Sequence, residues 1–290
     1  AEENWPRTGG YRWGDERRPG NGGNREAETM SATVVPLARK LCALAGTMEA
    51  SMRIGLGQIN STVGDLAGNV DLMIAAARRA AEAGAELVVF PELSLTGYPP
   101  RDLVEKQSFL ERGEEQLERL AQETAGLELA LICGYVGRSE VAAGKRATNS
   151  AALLKGGRIG HRQNKALLPT YDVFDEARYF LAAERQTVCA LPEASLAVTI
   201  CEDAWNDKQF WERRLYSRDP VEELMQQGAQ ILININASPY HMGKRALRRE
   251  VFANTARRYG IPVIYVNQVG GNDSLVFDGS SFALDGEARV

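Results

Sequence analysis

The stretch Ser-Leu-Ala-Val-Thr-Ile-Cys-Glu-Asp-Ala-Trp (195–205) reads as a short buried strand that stops at a thiol. Leu196 to Ile200 is apolar and β-prone, and two acids and a tryptophan follow Cys201 at once. A thiol at the end of a buried strand is held rigidly and can face a cleft, which suits a nucleophile. Two other runs end as sharply. Glu92 closes Leu-Val-Val-Phe-Pro-Glu (87–92), and Lys165 closes Arg-Ile-Gly-His-Arg-Gln-Asn-Lys (158–165). A thiol, a carboxylate and an amine at three strand ends make a candidate amide-cleaving site. Their separation in sequence leaves open whether they meet.

Outward from these runs, strands and helices alternate. Val70, Met73, Ile74, Ala77 and Ala81 recur at helical spacing, with Asn69 as the expected N-cap and Gly84 as the stop. A second helix is predicted over 108–124, with Leu110, Leu117, Leu120 and Ala121 on one face. A strand is predicted at 127–136, and a hairpin of 150–154 with 158–162 across Gly156-Gly157. Strands at 187–191, 230–235 and 262–267 follow, with helices at 220–228 and 244–259 and a hairpin over 275–284 turning at Asp278-Gly279. This order predicts an α/β fold with a mixed sheet.

The ends read differently. Residues 1–51 are expected to be a disordered extension, being rich in Gly, Arg, Glu and Asn near the start, with Met52 as the functional start of a domain over 52–290. Residues 287–290 look like the opening of another strand, so the domain reads as truncated at its C-terminus.

Bulk chemistry removes several function classes. A net charge of −4 offers no basic excess for nucleic acid. No apolar run has the length of a membrane span. The four cysteines contain no C-x-x-C pair and there are only two histidines, so neither a metal site nor a Ser-His-Asp triad is expected. Reduced thiols in a cytoplasmic protein fit this pattern.

Taken alone, a cysteine after an apolar strand is more often packing, as Cys133 and Cys189 are read here. A free thiol has a pKa of about 8.5, so a nucleophilic one needs a base or a positive neighbour. With so few histidines, Glu92 is the expected base. Lys165 and the backbone N–H of Glu202 are expected to hold a developing oxyanion.

Longer strings carry a resemblance. Phe-Pro-Glu-Leu-Ser-Leu-Thr-Gly-Tyr-Pro-Pro (90–100), Asn-Lys-Ala-Leu-Leu-Pro-Thr-Tyr-Asp-Val-Phe-Asp-Glu-Ala-Arg-Tyr-Phe (164–180) and Ile-Cys-Glu-Asp-Ala-Trp (200–205) resemble the carbon–nitrogen hydrolase (nitrilase) superfamily. More narrowly, they resemble the glutaminase domain of glutamine-dependent NAD(+) synthetases. Asn-Ala-Ser-Pro-Tyr (236–240), Gly-Lys-Arg (243–245) and 267–279 extend the match. The resemblance implies a Glu-Lys-Cys triad on Glu92, Lys165 and Cys201, in an α-β-β-α sandwich that assembles into homo-oligomers. It implies glutamine as substrate, with ammonia passed to a synthetase domain that uses ATP and Mg2+ to amidate deamido-NAD+. That domain's phosphate loop is not found here. Residues 269–274 lack its leading serine and are followed by strand-like sequence, so this chain is expected to hold no cofactor. Asn272-Asp273-Ser274 also departs from the family's Gln-Asp-Glu at this point.

With glutamine as the implied substrate, further residues gain candidate roles. Glu176 is placed to orient Lys165 or a water. Glu202, Ser238 and Lys244 offer the charges and hydrogen bonds that an α-amino acid's two charged groups need. Tyr98 and Tyr171 are candidate pocket walls, whereas Arg245, Arg248 and Arg249 read as a solvated helix face. A stand-alone amidase or carbamoylase, or a non-catalytic interaction domain, are the alternative readings.

Overall fold

The computed structural model describes residues 30–38 and 51–290, apart from residue 142. Two sheets carry the fold. The first contains β1 (Met30–Ala38), β2 (Ser51–Ile59), β3 (Leu87–Val89), β4 (Ala130–Arg138), β5 (Ala147–Lys155) and β6 (Arg158–Asn164), in that spatial order. The second contains β7 (Cys189–Ala190), β8 (Ser195–Ile200), β9 (Ile231–Asn236), β10 (Val263–Asn267) and β13 (Phe282–Leu284), ordered β13-β10-β9-β8-β7. Between β10 and β13 in the chain, β11 (Val269–Asn272) and β12 (Leu275–Asp278) form a separate antiparallel hairpin.

The sheets pack face to face. Ile54, Leu56, Leu87, Val89 and Ile132 of the first meet Leu196, Val198, Ile200, Ile233 and Ile264 of the second in one core. The alternation along β2 and β8 produces this, because successive strand residues face opposite ways. The other faces are covered by helices. α1 (Leu66–Glu82) and α2 (Gln107–Glu123) lie on the first sheet, burying Val70, Met73, Ala77, Leu117 and Leu120. α4 (Pro220–Gln226) and α5 (Lys244–Tyr259) lie on the second, burying Val221, Leu224, Phe252 and Ala256. A single helical turn, α3 (Glu176–Tyr179), sits in the long connection after β6. The architecture is an α-β-β-α sandwich with mixed sheets. No helix among the described residues is long and apolar enough to cross a membrane.

Several expectations shift in detail. Asp65 caps α1, accepting from Gly68 N–H at 3.0 Å. Asn69 lies one turn inside and is buried, donating to the carbonyls of Thr62 (2.8 Å) and Leu95 (3.1 Å). The strand expected at 187–191 shrinks to the two residues of β7. The hairpin expected over 275–284 does not form. β12 instead folds back on β11 across Asp273-Ser274, and β13 crosses to pair with β10. Asp278-Gly279 still turns the chain, but as a departure from the hairpin, with Gly279 N–H donating to Gln268 O at 3.0 Å. Residues 287–290 form no strand. Asp285 Oδ1 accepts from the N–H groups of Glu287 and Arg289, both at 2.9 Å, and closes a turn.

Part of 1–51, expected to lie outside the fold, is a strand. β1 pairs antiparallel with β2 from Met30↔Ile59 to Ala38↔Ser51. Thr33, Val34 and Val35 supply β propensity, and Pro36 is compatible because β1 is an edge strand. The remaining residues of that segment, 1–29 and 39–50, lie outside the described residues.

Candidate active site

Backbone geometry first delivers the acid. After β3 the chain turns sharply, and Leu93 adopts a left-handed φ of 47°. Gly134 of β4 lies directly under this turn. Its N–H donates to Pro91 O (3.1 Å) and its carbonyl accepts from Leu95 N–H (3.0 Å). A Cβ at Gly134 would run into the backbone of Pro91, Glu92 and Leu93, so only glycine lets the turn sit this close. Glu92 is thereby fixed at the C-terminal end of β3, fully buried.

Lys165 leaves the end of β6, and its N–H is held by Asn149 O at 2.8 Å. The side chain is fully buried. Its Nζ lies 2.7 Å from Glu92 Oε1, and 2.9 and 2.8 Å from the two oxygens of Glu176. The carboxylates are satisfied from further sides. Asn149 Nδ2 donates to Glu92 Oε1 (2.7 Å) and lies 3.3 Å from Glu176 Oε2. Ala237 N–H donates to Glu92 Oε2 (2.8 Å), and the Tyr98 hydroxyl to Glu176 Oε1 (2.9 Å). A buried charge is tolerable only when paired and hydrogen-bonded in this way.

Cys201 begins a short 3-10 turn at the end of β8 and is itself left-handed, with φ 44°. A non-glycine residue held there is strained, and such positions persist where the surroundings impose them. Its carbonyl lies 3.4 Å from Asn234 Nδ2. Asp203, two residues on, ties this turn to the lysine. One oxygen accepts from Ala166 N–H (2.9 Å) and Leu167 N–H (2.8 Å). The other accepts from Gln186 Nε2 (2.8 Å) and Ile200 N–H (3.2 Å).

The electrostatics follow from burial. Burial and the negative charge of Glu92 push the Cys201 thiol well above its ordinary pKa, while Lys165 opposes them. Cys201 is therefore a thiol at rest and needs a base. Burial by itself would depress the Lys165 ammonium, but Glu176 and Glu92 outweigh it and hold the pKa well above the ordinary value. The amine stays charged. Burial pushes Glu176 up to about 7, Lys165 opposes, and Glu92 adds to the rise. Cys133 and Cys189 have no such company, and burial pushes them up to about 12 and about 11.

The structure also places the softer candidates. Tyr98 and Glu176 join the lysine cluster directly. The Tyr171 hydroxyl lies 2.9 and 2.8 Å from the two oxygens of Glu202. Lys244 lies 5.9 Å from the Trp205 ring centre, with its pKa lowered by burial and raised by Cys201. Ser238 is committed elsewhere, its hydroxyl 3.2 Å and its carbonyl 2.8 Å from Arg248 Nη2. Arg248 is not on a solvated face as expected. It is 1% exposed and pairs with Asp278 at 2.7 Å, so it supports the wall that carries Ser238. Sequence reasoning did not single out Asn149, Asp203 or Tyr216. Tyr216 lies beside Glu202, whose carboxylate adds to burial in raising the phenol's pKa. Nothing in their local sequence marks the first two. Only the pairing of β5 with β6, and the packing of one sheet on the other, brings them in.

The sequence and fold have known counterparts. The carbon-nitrogen hydrolase family profile matches residues 53–290. The chain belongs to that family. As a carbon-nitrogen hydrolase it is 43% identical over 240 residues to a glutamine-dependent NAD(+) synthetase of Synechocystis sp., covering 82% of this chain and 43% of that protein. The Thermotoga maritima protein of the same name is 39% identical, with 82% and 39% covered. This carbon-nitrogen hydrolase chain thus spans well under half the length of the curated relatives it matches. Among solved structures, the glutamine-dependent NAD+ synthetase of Acinetobacter baumannii superposes with a TM-score of 0.71 at 32% identity, over 81% of this chain and 42% of that one. An amidase from Nesterenkonia sp. shares the fold, with a TM-score of 0.69 at 24% identity over 82% and 84% of the two chains.

Proposed function

We propose that this chain hydrolyses the side-chain amide of glutamine through a Cys201 thioester and supplies ammonia for the amidation of deamido-NAD+. Glu92 takes the thiol proton as Cys201 Sγ bonds to the amide carbon. The carbonyl oxygen becomes an oxyanion, held by Lys165 Nζ and the Glu202 N–H. One lysine N–H turns from a Glu176 oxygen toward it. As the C–N bond breaks, the proton on Glu92 passes to the nitrogen and ammonia leaves. Water then gives its proton to Glu92 and attacks the thioester carbon. Sulfur departs, recovers that proton, and glutamate is freed. Glu202, held by Tyr171, is the group that meets the substrate's α-ammonium, and Lys244 meets its α-carboxylate.

The observation that carries this reading is the sealed Glu92–Lys165–Glu176 cluster beside a strained cysteine. The glutamine-dependent relatives, 43% and 39% identical, support glutamine as the substrate. In this reading the consumer of ammonia is a synthetase domain, which uses ATP and Mg2+, in a cytoplasmic homo-oligomer. The test is release of glutamate and ammonia from glutamine, with propionamide as competitor. Glutamine should be hydrolysed and propionamide hardly touched, and Cys201→Ala should abolish turnover while leaving the melting temperature near wild type. Faster hydrolysis of propionamide would favour a stand-alone amidase. Unchanged turnover in Cys201→Ala would refute the nucleophile.

A further inference from the structure

We propose that Asn149 is a positioning residue that holds Glu92 and Glu176 as a matched pair about Lys165. The inference rests on the glutaminase reading for one of its readouts and on thiol chemistry for the other. Asn149 is fully buried on β5. Its Nδ2 bridges the two carboxylates, at 2.7 Å from Glu92 Oε1 and 3.3 Å from Glu176 Oε2. Its main-chain carbonyl accepts the N–H of Lys165 at 2.8 Å. One residue therefore fixes the lysine's backbone and both acids that grip the lysine's head.

The orientation of the amide follows from the network. Oδ1 has no partner, although it is buried. Turned the other way, the amide would aim that oxygen at two carboxylates and orphan its donors as well. The NH2 group must therefore face the acids. A buried acceptor left unpaired is costly. What holds the side chain in this place is its pair of charge-assisted bonds, which are stronger than neutral ones.

The charge balance shows what those bonds do. Two carboxylates share one ammonium in a dry site, and the charge of Glu92 pushes Glu176 toward protonation. Among the described residues Lys165 is the only cation bonded to either acid. Asn149 is the only neutral side chain among the described residues whose hydrogen bonds reach both of them. Without its NH2 group Glu176 would hold its proton more tightly, and Glu92 would lose one of its three fixed donors. A misdirected Glu92 cannot take the thiol proton, and a protonated Glu176 loosens its grip on Lys165. The other titratable groups that bear on the pair are Tyr98 from the loop after β3 and Cys201 after β8, which face both acids, and Tyr216, which faces Glu176. None of these is touched by a change at Asn149.

The experiment compares wild type with Asn149→Ala and Asn149→Ser, each first shown to melt cooperatively. The proposal expects kcat for glutamine to fall by about a hundredfold with KM changed less than about threefold, because substrate contacts stay intact. It also expects the acid limb of kcat/KM to move up by about one pH unit. Iodoacetamide alkylation of Cys201, followed by mass, reads the same limb without glutamine. Its pH profile should shift upward in both variants even if glutamine is not the substrate, which separates failure of this inference from failure of the glutaminase reading. A variant that folds and shows wild-type kcat would overturn the proposal, as would coincident alkylation profiles or a rise in KM alone. If Asn149→Ala does not fold, Asn149→Ser decides by the same two readouts. If neither folds, the residue is structural and the proposal fails.

Discussion

The two sides of the site are built on opposite terms. On the side of the first sheet, Glu92, Lys165 and Asn149 are fully buried and Glu176 is 4% exposed, and direct hydrogen bonds join them. On the side reached through Glu202, the partners thin out toward solvent, with Tyr171, which bonds Glu202, 42% exposed and Tyr216 half-buried. Cys201 lies between them at 7%. The sealed side keeps charge where water cannot screen it, so its fields act at full strength on the thiol. In the proposed reaction the substrate enters on the open side, where the Tyr171 hydroxyl on Glu202 would exchange with its ammonium. In that reading proton handling and recognition are divided between a buried and an accessible surface.

The division breaks most severely at Lys165. Lys165→Met keeps the length of the side chain but leaves Glu92 and Glu176 buried without their counter-ion. Removing one partner of a buried pair costs about 3–5 kcal/mol, so a clear fall in denaturation midpoint is expected along with loss of activity. A variant as stable as wild type would show that the carboxylates reach water, and the sealed side would not be sealed.

Glu176 sharpens the contrast through pH. Its pKa is raised to about 7, against about 4.3 for an ordinary glutamate. The folded state therefore binds its proton more tightly than the unfolded one. Its stabilising contribution is complete below the ordinary carboxylate range and is lost as pH rises toward about 7. Denaturation curves for wild type and Glu176→Gln, taken from pH 4.5 to 7.5, should diverge, wild type losing stability relative to the variant as pH rises. Parallel curves would mean Glu176 ionises normally.

The smallest effect belongs to the open side. Tyr171→Phe removes one hydroxyl from Glu202 and nothing from the lysine cluster. KM for glutamine should rise about three- to tenfold, with kcat within about twofold, because the lost contact bears on ground and transition state alike. A fall in kcat with KM unchanged would put Tyr171 on the proton-handling side.

The sequence displayed the parts of the site that sit at strand ends. Cys201, Glu92 and Lys165 each close a run of β-prone residues, and their polarity stands out against it. Asn149 and Asp203 do not stand out. Thr-Asn-Ser at 148–150 opens a strand, where polar residues are unremarkable, and its meaning comes from residues 57 positions away, at Glu92, and 27 away, at Glu176. Asp203 reads as one of two acids after the cysteine, yet it ties Ala166 and Leu167 to the Cys201 turn. The hairpin at 275–284 was misplaced for a similar reason. Asp278-Gly279 is the stronger local turn signal, but pairing of β13 with β10 fills the second sheet and decides the matter. Residues 30–38 read as part of an extension because a polar segment precedes them and Pro36 and Arg39-Lys40 break the apolar run, and an edge strand accommodates that proline.

The central claim is that Cys201 becomes acylated by glutamine with Glu92 as its base, and rapid quench followed by intact mass measures this directly. Wild-type protein mixed with glutamine and quenched in acid should carry one γ-glutamyl group on the tryptic peptide that contains Cys201. Glu92→Gln, whose amide keeps the shape but cannot accept a proton, should acylate at least about a hundredfold more slowly. Acylation of Glu92→Gln at the wild-type rate, or turnover of glutamine with no adduct on Cys201 at any quench time, would contradict the account.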